Sequence, residues 1–347
     1  MNLNIQWITH YFERDKKMNC PICNNNTVEL KIEEFEREFR KEKFKVFEQY
    51  YFCNSCKNDF TTSEQDDLSV NQVYNQYREK HSIPFPEEIK LVRETYNISS
   101  SKIAEVLGFG INQYRNYEAG EMPNKSNSKT LKVICNPIHF KAYIEQSNNI
   151  FKIHEYEKIV KLLDIEIEKE QNKNILSIIF EDFLTPNRFN GYTIPSFEKF
   201  FNMVLFFNDD AFFQVRLNKF LFYADFSNYR KTGKSISGLP YAAIPLGIVP
   251  ERYKALMDFA EIEGYIEYGY DSSINSNSER IINKVKFESS LFNDNEIESM
   301  NVVLDTLRFK STDKIVELNH NEKAWIENHN ENKIISYLDY APLLKEI

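Results

Sequence analysis

Four cysteines in two closely spaced pairs are the residues of this 347-residue chain with the most specific chemistry. They are Cys20, Cys23, Cys53 and Cys56, and each pair has the spacing C-x2-C. One such pair places two thiolates on a tight turn, and two pairs complete a tetrahedral site for Zn²⁺. Because four thiolates fill the coordination shell, we predict one structural zinc ion and not a catalytic one.

The segment between the two cysteine pairs predicts a zinc ribbon. Residues 28–32 alternate between apolar and polar side chains, and residues 44–52 are rich in Phe, Tyr and Val. Both patterns are typical of β-strands, so we predict a hairpin in which the charged residues 33–43 join two strands. The alternative is that the cysteines are incidental reduced thiols, but the repeated spacing disfavours it.

Four short helical patterns follow between residues 86 and 135. We expect helices at residues 87–96, from about 99 to 107, at 111–119 and at 129–135. Ser99 is a good N-cap residue, and Gly108 and Gly120 supply the turns after the second and third helices. This layout predicts a helix-turn-helix, the module that places its second helix in the major groove of DNA.

The third of these patterns predicts a recognition helix. Ile111, Tyr114 and Tyr117 share one face and should pack inward, which leaves the polar side chains outside. Asn and Gln pair with adenine and Arg pairs with guanine, whereas Lys contacts phosphates. The candidate DNA contacts are therefore Asn112, Gln113, Arg115, Asn116, Lys125 and Lys129. The alternative is an ordinary three-helix surface with a polar face.

Composition limits the remaining function classes. The net charge is −9, so a DNA-binding face would be local on an acidic body. With only 9 glycines and no phosphate-loop, H-E-x-x-H or G-x-S-x-G motif, the sequence favours a protein that is not an enzyme. No apolar run reaches the roughly 18 residues of a membrane span, and the first residues do not fit a signal peptide. We therefore predict a cytoplasmic protein without a membrane partner.

The rest of the chain predicts a mainly helical fold. Residues 140–185 are charged and helical, and a boundary falls near residues 186–192. Beyond it we expect aromatic amphipathic helices, a loop or short strands over 233–250, and a hairpin of residues 265–270 with 281–287. The predicted fold class is α+β, predominantly α-helical. The predicted parts are a zinc-ribbon module (1–80), a helix-turn-helix domain (81–140), a helical connector (141–192) and a C-terminal helical domain with a small β-hairpin (193–347).

The N-terminal half resembles MqsA-type antitoxins, which join a YgiT-type zinc module to an Xre-like helix-turn-helix. The matching residues are the four cysteines and the stretches 103–108 (IAEVLG) and 110–120 (GINQYRNYEAG). In that family an asparagine at the position of Asn112 and a basic residue one turn later read bases. Here Asn116 occupies the later position, and Arg115 lies one residue before it. The resemblance implies a homodimer that binds operator double-stranded DNA and represses its own operon.

The C-terminal half resembles the Panacea (SocA-like) domain of antitoxins. The matching stretches are 216–225 (RLNKFLFYAD), 232–238 (TGKSISG), 244–250 (IPLGIVP) and 318–325 (LNHNEKAW). Relatives often have a Gly-Pro pair in the third stretch, where this chain has Gly247 and Ile248. The resemblance implies a domain that binds and neutralises a toxin encoded beside it. The candidate toxin contacts are Tyr223, Asp225, Arg230 and Lys234.

Together these patterns predict the antitoxin of a type II toxin–antitoxin pair. The alternative is a stand-alone zinc-containing transcriptional regulator whose C-terminal domain senses a ligand or a protein. A third hypothesis is a nuclease of a phage-defence system, but it needs an acidic or histidine cluster that the sequence does not supply. A short toxin-like gene next to this one would favour the antitoxin hypothesis.

Overall fold

The computed structural model describes residues 18–172, 175–211, 213–270 and 279–345. The first 17 residues of the predicted zinc-ribbon module and residues 271–278, in the loop expected between the strands of the C-terminal hairpin, lie outside the described residues. Helices predominate and the strands form antiparallel hairpins, which confirms the predicted α+β, mainly helical class. Within the described residues, no helix is both long enough and apolar enough to cross a bilayer.

The helices are α1 (Ser63–His81), α2 (Pro86–Thr95), α3 (Ser100–Val106), α4 (Gln113–Glu118), α5 (Lys125–Ile134), α6 (Pro137–Gln146), α7 (Ile153–Gln171), α8 (Ile175–Ile179), α9 (Phe197–Ala211), α10 (Gln214–Thr232), α11 (Tyr253–Ile262), α12 (Asp294–Leu307), α13 (Thr312–His320), α14 (Lys323–Ile326) and α15 (Tyr337–Tyr340). The strands are β1 (Val28–Phe39), β2 (Glu42–Cys53), β3 (Asp59–Phe60), β4 (Tyr241–Ile244), β5 (Gly247–Pro250), β6 (Ile266–Tyr270) and β7 (Glu279–Asn283). Single 3₁₀ turns lie at Asn148–Ile150, Glu181–Phe183, Ser289–Leu291, His329–Glu331 and Ala341–Leu343.

The chain divides into two compact units, Met1–Val73 and Tyr74–Ile347, and the division falls inside α1. In the first unit, β1 and β2 form one long antiparallel hairpin, with β3 paired to the end of β2. The hairpin is longer than the sequence predicted, because residues 33–43 are mostly strand and not a connection. Only Arg40 and Lys41 turn the chain, and both have positive φ, as a two-residue hairpin turn requires.

Opposite charges explain why this hydrophilic segment forms strands. Ion pairs across the ribbon join Lys43 to Glu36 at 2.6 Å and Arg37 to Glu48. Cross-strand pairs of this kind stabilise a ribbon whose β1 side chains are mostly exposed. The amide of Gln72 in α1 exchanges two hydrogen bonds of 2.8 Å with the backbone of Phe47 and thereby fixes the helix against β2.

The second unit contains the four helices of the predicted helix-turn-helix, although α5 begins at Lys125 and not at residue 129, and one residue of the third helical pattern was misplaced. The side chain of Ser99 accepts a hydrogen bond from the Lys102 N–H and caps α3, and Asn124 caps α5 in the same way. Gly120 follows α4 with φ +101°, which favours glycine. The error concerns Ile111, which precedes α4 and is exposed, whereas the sequence placed it in the core.

Helices α6 and α7 complete the core of the helix-turn-helix. Phe140 and Ile144 of α6 and Ile159 and Leu163 of α7 belong to the same buried cluster as residues of α2 to α5. Leu176 of α8 packs instead in the C-terminal core. The segment predicted as a connector therefore contributes side chains to two cores.

Helix α10 is the centre of the C-terminal core. Every residue from Arg216 to Tyr229 is buried, and the helix packs against α9, α12, α13 and the β4–β5 hairpin. Because a helix buried on all sides must also satisfy its polar side chains, several of these have defined partners within the core. The Arg216 guanidinium donates to the carbonyls of Leu307, Arg308 and Lys310, and so satisfies the carboxyl end of α12.

Candidate metal centre and candidate nucleic-acid interface

The four predicted cysteine ligands come together at one end of the β1–β2 hairpin. Their sulfur atoms all lie within 4.8 Å of one another, and two of the Sγ–Sγ distances, Cys20–Cys56 and Cys23–Cys53, are 3.6 Å. A tetrahedral site with metal–sulfur bonds of about 2.3 Å has sulfur atoms about 3.8 Å apart. The cluster therefore has a geometry that can hold a metal ion.

Two matching turns position these sulfurs. The N–H of Cys20 donates to the Asn25 carbonyl at 2.8 Å, and the N–H of Cys53 donates to the Asn58 carbonyl at 2.9 Å. In each turn the residue four places after the first cysteine, Asn24 or Lys57, has positive φ and donates back to that cysteine's carbonyl. Since β1 begins opposite Cys53, the hairpin register brings the second turn beside the first.

The second turn also favours the thiolate form that a metal requires. The backbone N–H of Cys56 is the main cause that lowers the pKa of Cys53, which falls to about 6. The side chain of Asn58 lowers the pKa of Cys56 in turn. Hydrogen bonds to sulfur stabilise its negative charge, so these two positions are suited to metal binding near neutral pH.

Helix α4 divides into a buried face and an outer face, as predicted. Tyr114 and Tyr117 are buried, and the hydroxyl of Tyr114 donates to the Ile89 carbonyl at 2.6 Å. On the outer side, the predicted base contacts Asn112, Arg115 and Asn116 are exposed. The three exposed side chains offer amide and guanidinium groups to a ligand outside the fold.

The other predicted DNA contacts flank this helix. Gln113 is half-buried, and its amide donates to Glu121 at 3.0 Å, so it is partly held within the protein. Lys125 and Lys129 are exposed on α5, the next helix along the chain. The structure thus brings amide, guanidinium and ammonium groups onto α4 and the helix that follows it.

Two arginines that the sequence analysis did not single out hold α4 in place. Arg93 of α2 forms an ion pair with Glu118 at the end of α4, and Arg78 of α1 donates to the Gly120 carbonyl at 2.8 Å. Neither belongs to a recognisable motif, because each contact joins residues at least 25 positions apart.

The predicted toxin contacts Tyr223 and Asp225 lie inside the C-terminal core. Asp225 is fully buried and accepts hydrogen bonds from the backbone N–H groups of Ile236 and Ser237, from the Ser237 hydroxyl and from the Tyr241 hydroxyl, at 2.6–2.8 Å. Burial raises the pKa of Asp225. The Tyr223 hydroxyl donates to buried Glu322 at 3.1 Å. Both side chains therefore stabilise the domain from within, and neither is presented at its surface.

The other two predicted toxin contacts are half-buried. Arg230 donates to the Leu344 carbonyl at 3.3 Å. The Lys234 amine donates to the Tyr192 carbonyl at 2.6 Å and forms an ion pair with Glu87 of α2 at 3.2 Å. Lys234 thus joins the C-terminal domain to the helix-turn-helix.

A further contact pair joins the end of α1 to the segment that precedes the C-terminal domain. The carboxylate of Glu79, at the end of α1, accepts a hydrogen bond from the Tyr192 hydroxyl at 2.7 Å and pairs with Arg188 at 3.0 Å. These contacts span more than 100 residues of sequence, and no local pattern indicated them.

A polar cluster that the sequence analysis missed anchors the β4–β5 turn. The Lys219 amine donates to the Ile248 carbonyl at 3.0 Å, the Asn319 oxygen accepts from the Ile248 N–H at 2.7 Å, and the Trp325 indole donates to the Ile244 carbonyl at 2.9 Å. The turn between these anchors carries Leu246, which is 63% exposed. The fold therefore presents an apolar side chain on a firmly held turn.

Two parts of this chain match families of antitoxins. Residues 18–137 match the family described as "Antitoxin component of bacterial toxin-antitoxin system, MqsA". Residues 217–326 match the family described as "Antitoxin SocA-like, Panacea domain". Both resemblances predicted from the sequence are confirmed, and the chain combines a part similar to MqsA with a part similar to the Panacea domain.

A named relative matches the first of these parts. Antitoxin MqsA of Escherichia coli (strain K12) is 28% identical over 122 residues, which cover 34% of this chain and 92% of the relative. The matched families support an antitoxin role and point to regulation by binding, not by catalysis.

Proposed function

We propose that this protein is the antitoxin of a type II toxin–antitoxin pair that neutralises its toxin by direct contact and represses its own operon. The observation that carries the proposal is the presence, in one chain, of parts matched by two antitoxin families. The exposed polar side chains of α4 and the clustered cysteines support the finer assignments.

For the metal we propose one structural Zn²⁺ bound by Cys20, Cys23, Cys53 and Cys56. The close spacing of the four sulfurs and the all-cysteine ligand set suit Zn²⁺. Bound zinc would stabilise the two turns and the base of the hairpin, since metal binding contributes to folding free energy. Because reduced thiols are needed, we also propose a cytoplasmic location.

For the nucleic acid we propose operator double-stranded DNA, read by Asn112, Arg115 and Asn116 and held through its phosphates by Lys125 and Lys129. All five side chains are exposed, and amides and guanidinium groups pair with base edges in the major groove. Gln113 would join them after releasing Glu121. A homodimer, implied by the MqsA-like part, would place two such helices on one palindromic operator.

For the toxin we propose contact through the surface around the β4–β5 turn. Tyr223 and Asp225 are buried, so we assign them to the internal support of this domain, while Arg230 and Lys234 remain candidate contacts. Leu246 is the exposed apolar side chain on the turn, and buried apolar anchors carry much of the energy of protein interfaces.

Co-expression tests the proposal directly. The neighbouring reading frame is expressed alone and then with the full chain, and growth and co-purification are measured. We expect toxicity alone, rescue with the chain and a stable complex. A harmless neighbour that does not co-purify would refute the antitoxin role and favour a stand-alone regulator.

Variants then test the two surfaces separately. Leu246→Asp should abolish rescue, whereas Ile262→Asp, at an isoleucine 77% exposed on α11, should retain it. Replacing both Asn112 and Asn116 by Ala should weaken operator binding at least tenfold, whereas Asn149→Ala, at an exposed asparagine outside α4, should not. Equal effects of the variant and its control would contradict the corresponding assignment.

A further inference from the structure

Ile111 occupies an unexpected place beside the proposed base-reading side chains. Helical periodicity placed it in the core, yet its residue surface is 73% exposed. The reason is that α4 begins only at Gln113, and Phe109 packs against the core at this point instead. The rings of Phe109 and Tyr117 pack in a T-shaped arrangement with a centroid distance of 6.0 Å.

The surroundings of Ile111 distinguish it from an ordinary exposed apolar residue. An isolated isoleucine on a protein surface needs no explanation. Ile111, however, directly precedes exposed Asn112 and lies in the same short segment as exposed Arg115 and Asn116. An apolar group among amides and a guanidinium matches the major groove, where the thymine C5-methyl is the apolar feature among hydrogen-bonding base edges.

We propose that Ile111 is a specificity-determining residue that contacts the C5-methyl group of a thymine in the operator. This proposal rests on the proposed DNA binding and adds one base preference to it. Asn112 and Asn116 would recognise adenine through hydrogen bonds, whereas Ile111 would recognise thymine by excluding water from its methyl group.

Deoxyuridine substitution provides the test, because it removes the thymine methyl and leaves base pairing intact. The full-length protein is titrated onto its footprinted upstream DNA, and each thymine is replaced singly by deoxyuridine. We expect one position at which deoxyuridine weakens binding by about fourfold, the effect of losing one buried methyl group. Ile111→Ala should weaken binding to the natural site by a similar factor and should not respond to deoxyuridine there.

The control is Ile153→Ala, at an isoleucine that is 81% exposed at the start of α7. It should bind the natural site as the parent protein does and keep its response to deoxyuridine. The salt dependence of binding should be the same for all three proteins, since no phosphate contact changes. Because Ile111 is exposed, its replacement should leave the melting temperature unchanged.

Other outcomes would overturn the proposal. Binding that responds to no deoxyuridine, or an Ile111→Ala variant that responds as the parent does, would show that Ile111 reads no methyl group. A variant that loses self-association would show that Ile111 is a contact between copies of the chain. If the parent protein bound none of the upstream DNA, the DNA-binding part of the proposed function would fail as well.

Discussion

The buried amine of Lys219 should make the stability of this protein depend on pH above neutrality. Lys219 is fully buried in α10, and its amine donates to the Ile248 carbonyl at 3.0 Å. Burial away from water lowers the pKa of Lys219 from 10.5 to about 7. Lys219→Met removes the amine while keeping a long apolar side chain.

The magnitude follows from proton linkage. Below pH 7 the lysine is protonated in both the folded and the unfolded chain, so the desolvation of the buried charge lowers the free energy of unfolding by its full amount. Between pH 7 and 10.5 only the unfolded chain holds the proton, and the free energy of unfolding rises by up to about 1.4 kcal/mol per pH unit. Between pH 7 and 9 the parent protein should therefore gain about 2–3 kcal/mol relative to Lys219→Met.

Urea unfolding at pH 6, 7, 8 and 9, followed by circular dichroism, measures this difference. Titration of the cysteines affects the parent and the variant equally, so it cancels. Lys254→Met, at an exposed lysine of α11, is the control and should follow the parent at every pH. If the parent and Lys219→Met gave parallel curves from pH 7 to 9, the reasoning would be wrong.

The pKa of His320 provides an independent measure of the charge on Lys219. Burial, and then the charge of Lys219, lower the pKa of His320, which also stacks on Trp325. Removing the Lys219 charge should raise the pKa of His320, measured by nuclear magnetic resonance. An unchanged His320 titration would indicate that the amine is already neutral over the range in which the imidazole titrates.

Three further predictions concern the turn, the metal centre and the helix-turn-helix. Gly247→Ala should lower the free energy of unfolding by at least about 3 kcal/mol, because the glycine has positive φ and a Cβ there would lie within 2.7 Å of two buried side chains. Gly264→Ala should lower it by only about 1–2 kcal/mol, because Gly264 has positive φ but open space around it. Equal losses in urea unfolding would contradict this. Cys53→Ser should lose the bound metal, measured by elemental analysis, whereas Cys135→Ser, outside the cluster, should retain it; retention by both would exclude the four-cysteine site. Tyr114→Phe should cost about 1–2 kcal/mol, since a buried carbonyl loses its hydroxyl donor; an unchanged melting temperature would show that the bond contributes nothing.

Local signals in the sequence determined the order and type of most elements. The C-x2-C spacings indicated the two turns that bring the sulfurs together, and Ser99 and Gly120 mark helix ends as capping chemistry requires. Tyr114 and Tyr117 were placed correctly because helical periodicity assigns residues three apart to one face. Each of these signals acts over a few neighbouring residues and can be read without knowing the fold.

The length of the β1–β2 hairpin and the position of Ile111 depended on partners elsewhere in the chain. Charged residues in the middle of the hairpin carry a loop-like pattern, and they form strands because opposite charges on the facing strand neutralise them. Ile111 fits a helical period, but α4 begins two residues later and Phe109 packs against the core in its place.

The sequence by itself determined that four cysteines lie on two matching turns, that several short helices follow them, and that the C-terminal part is mainly helical. Only the tertiary structure decided that Asp225 is an internal support and not a surface contact, and that Lys219 anchors a turn from within the core. It also decided that Lys234 reaches Glu87 of the helix-turn-helix. The physical reason is that burial and pairing of a charged side chain depend on residues distant in sequence, and the local pattern of polar and apolar residues does not contain them.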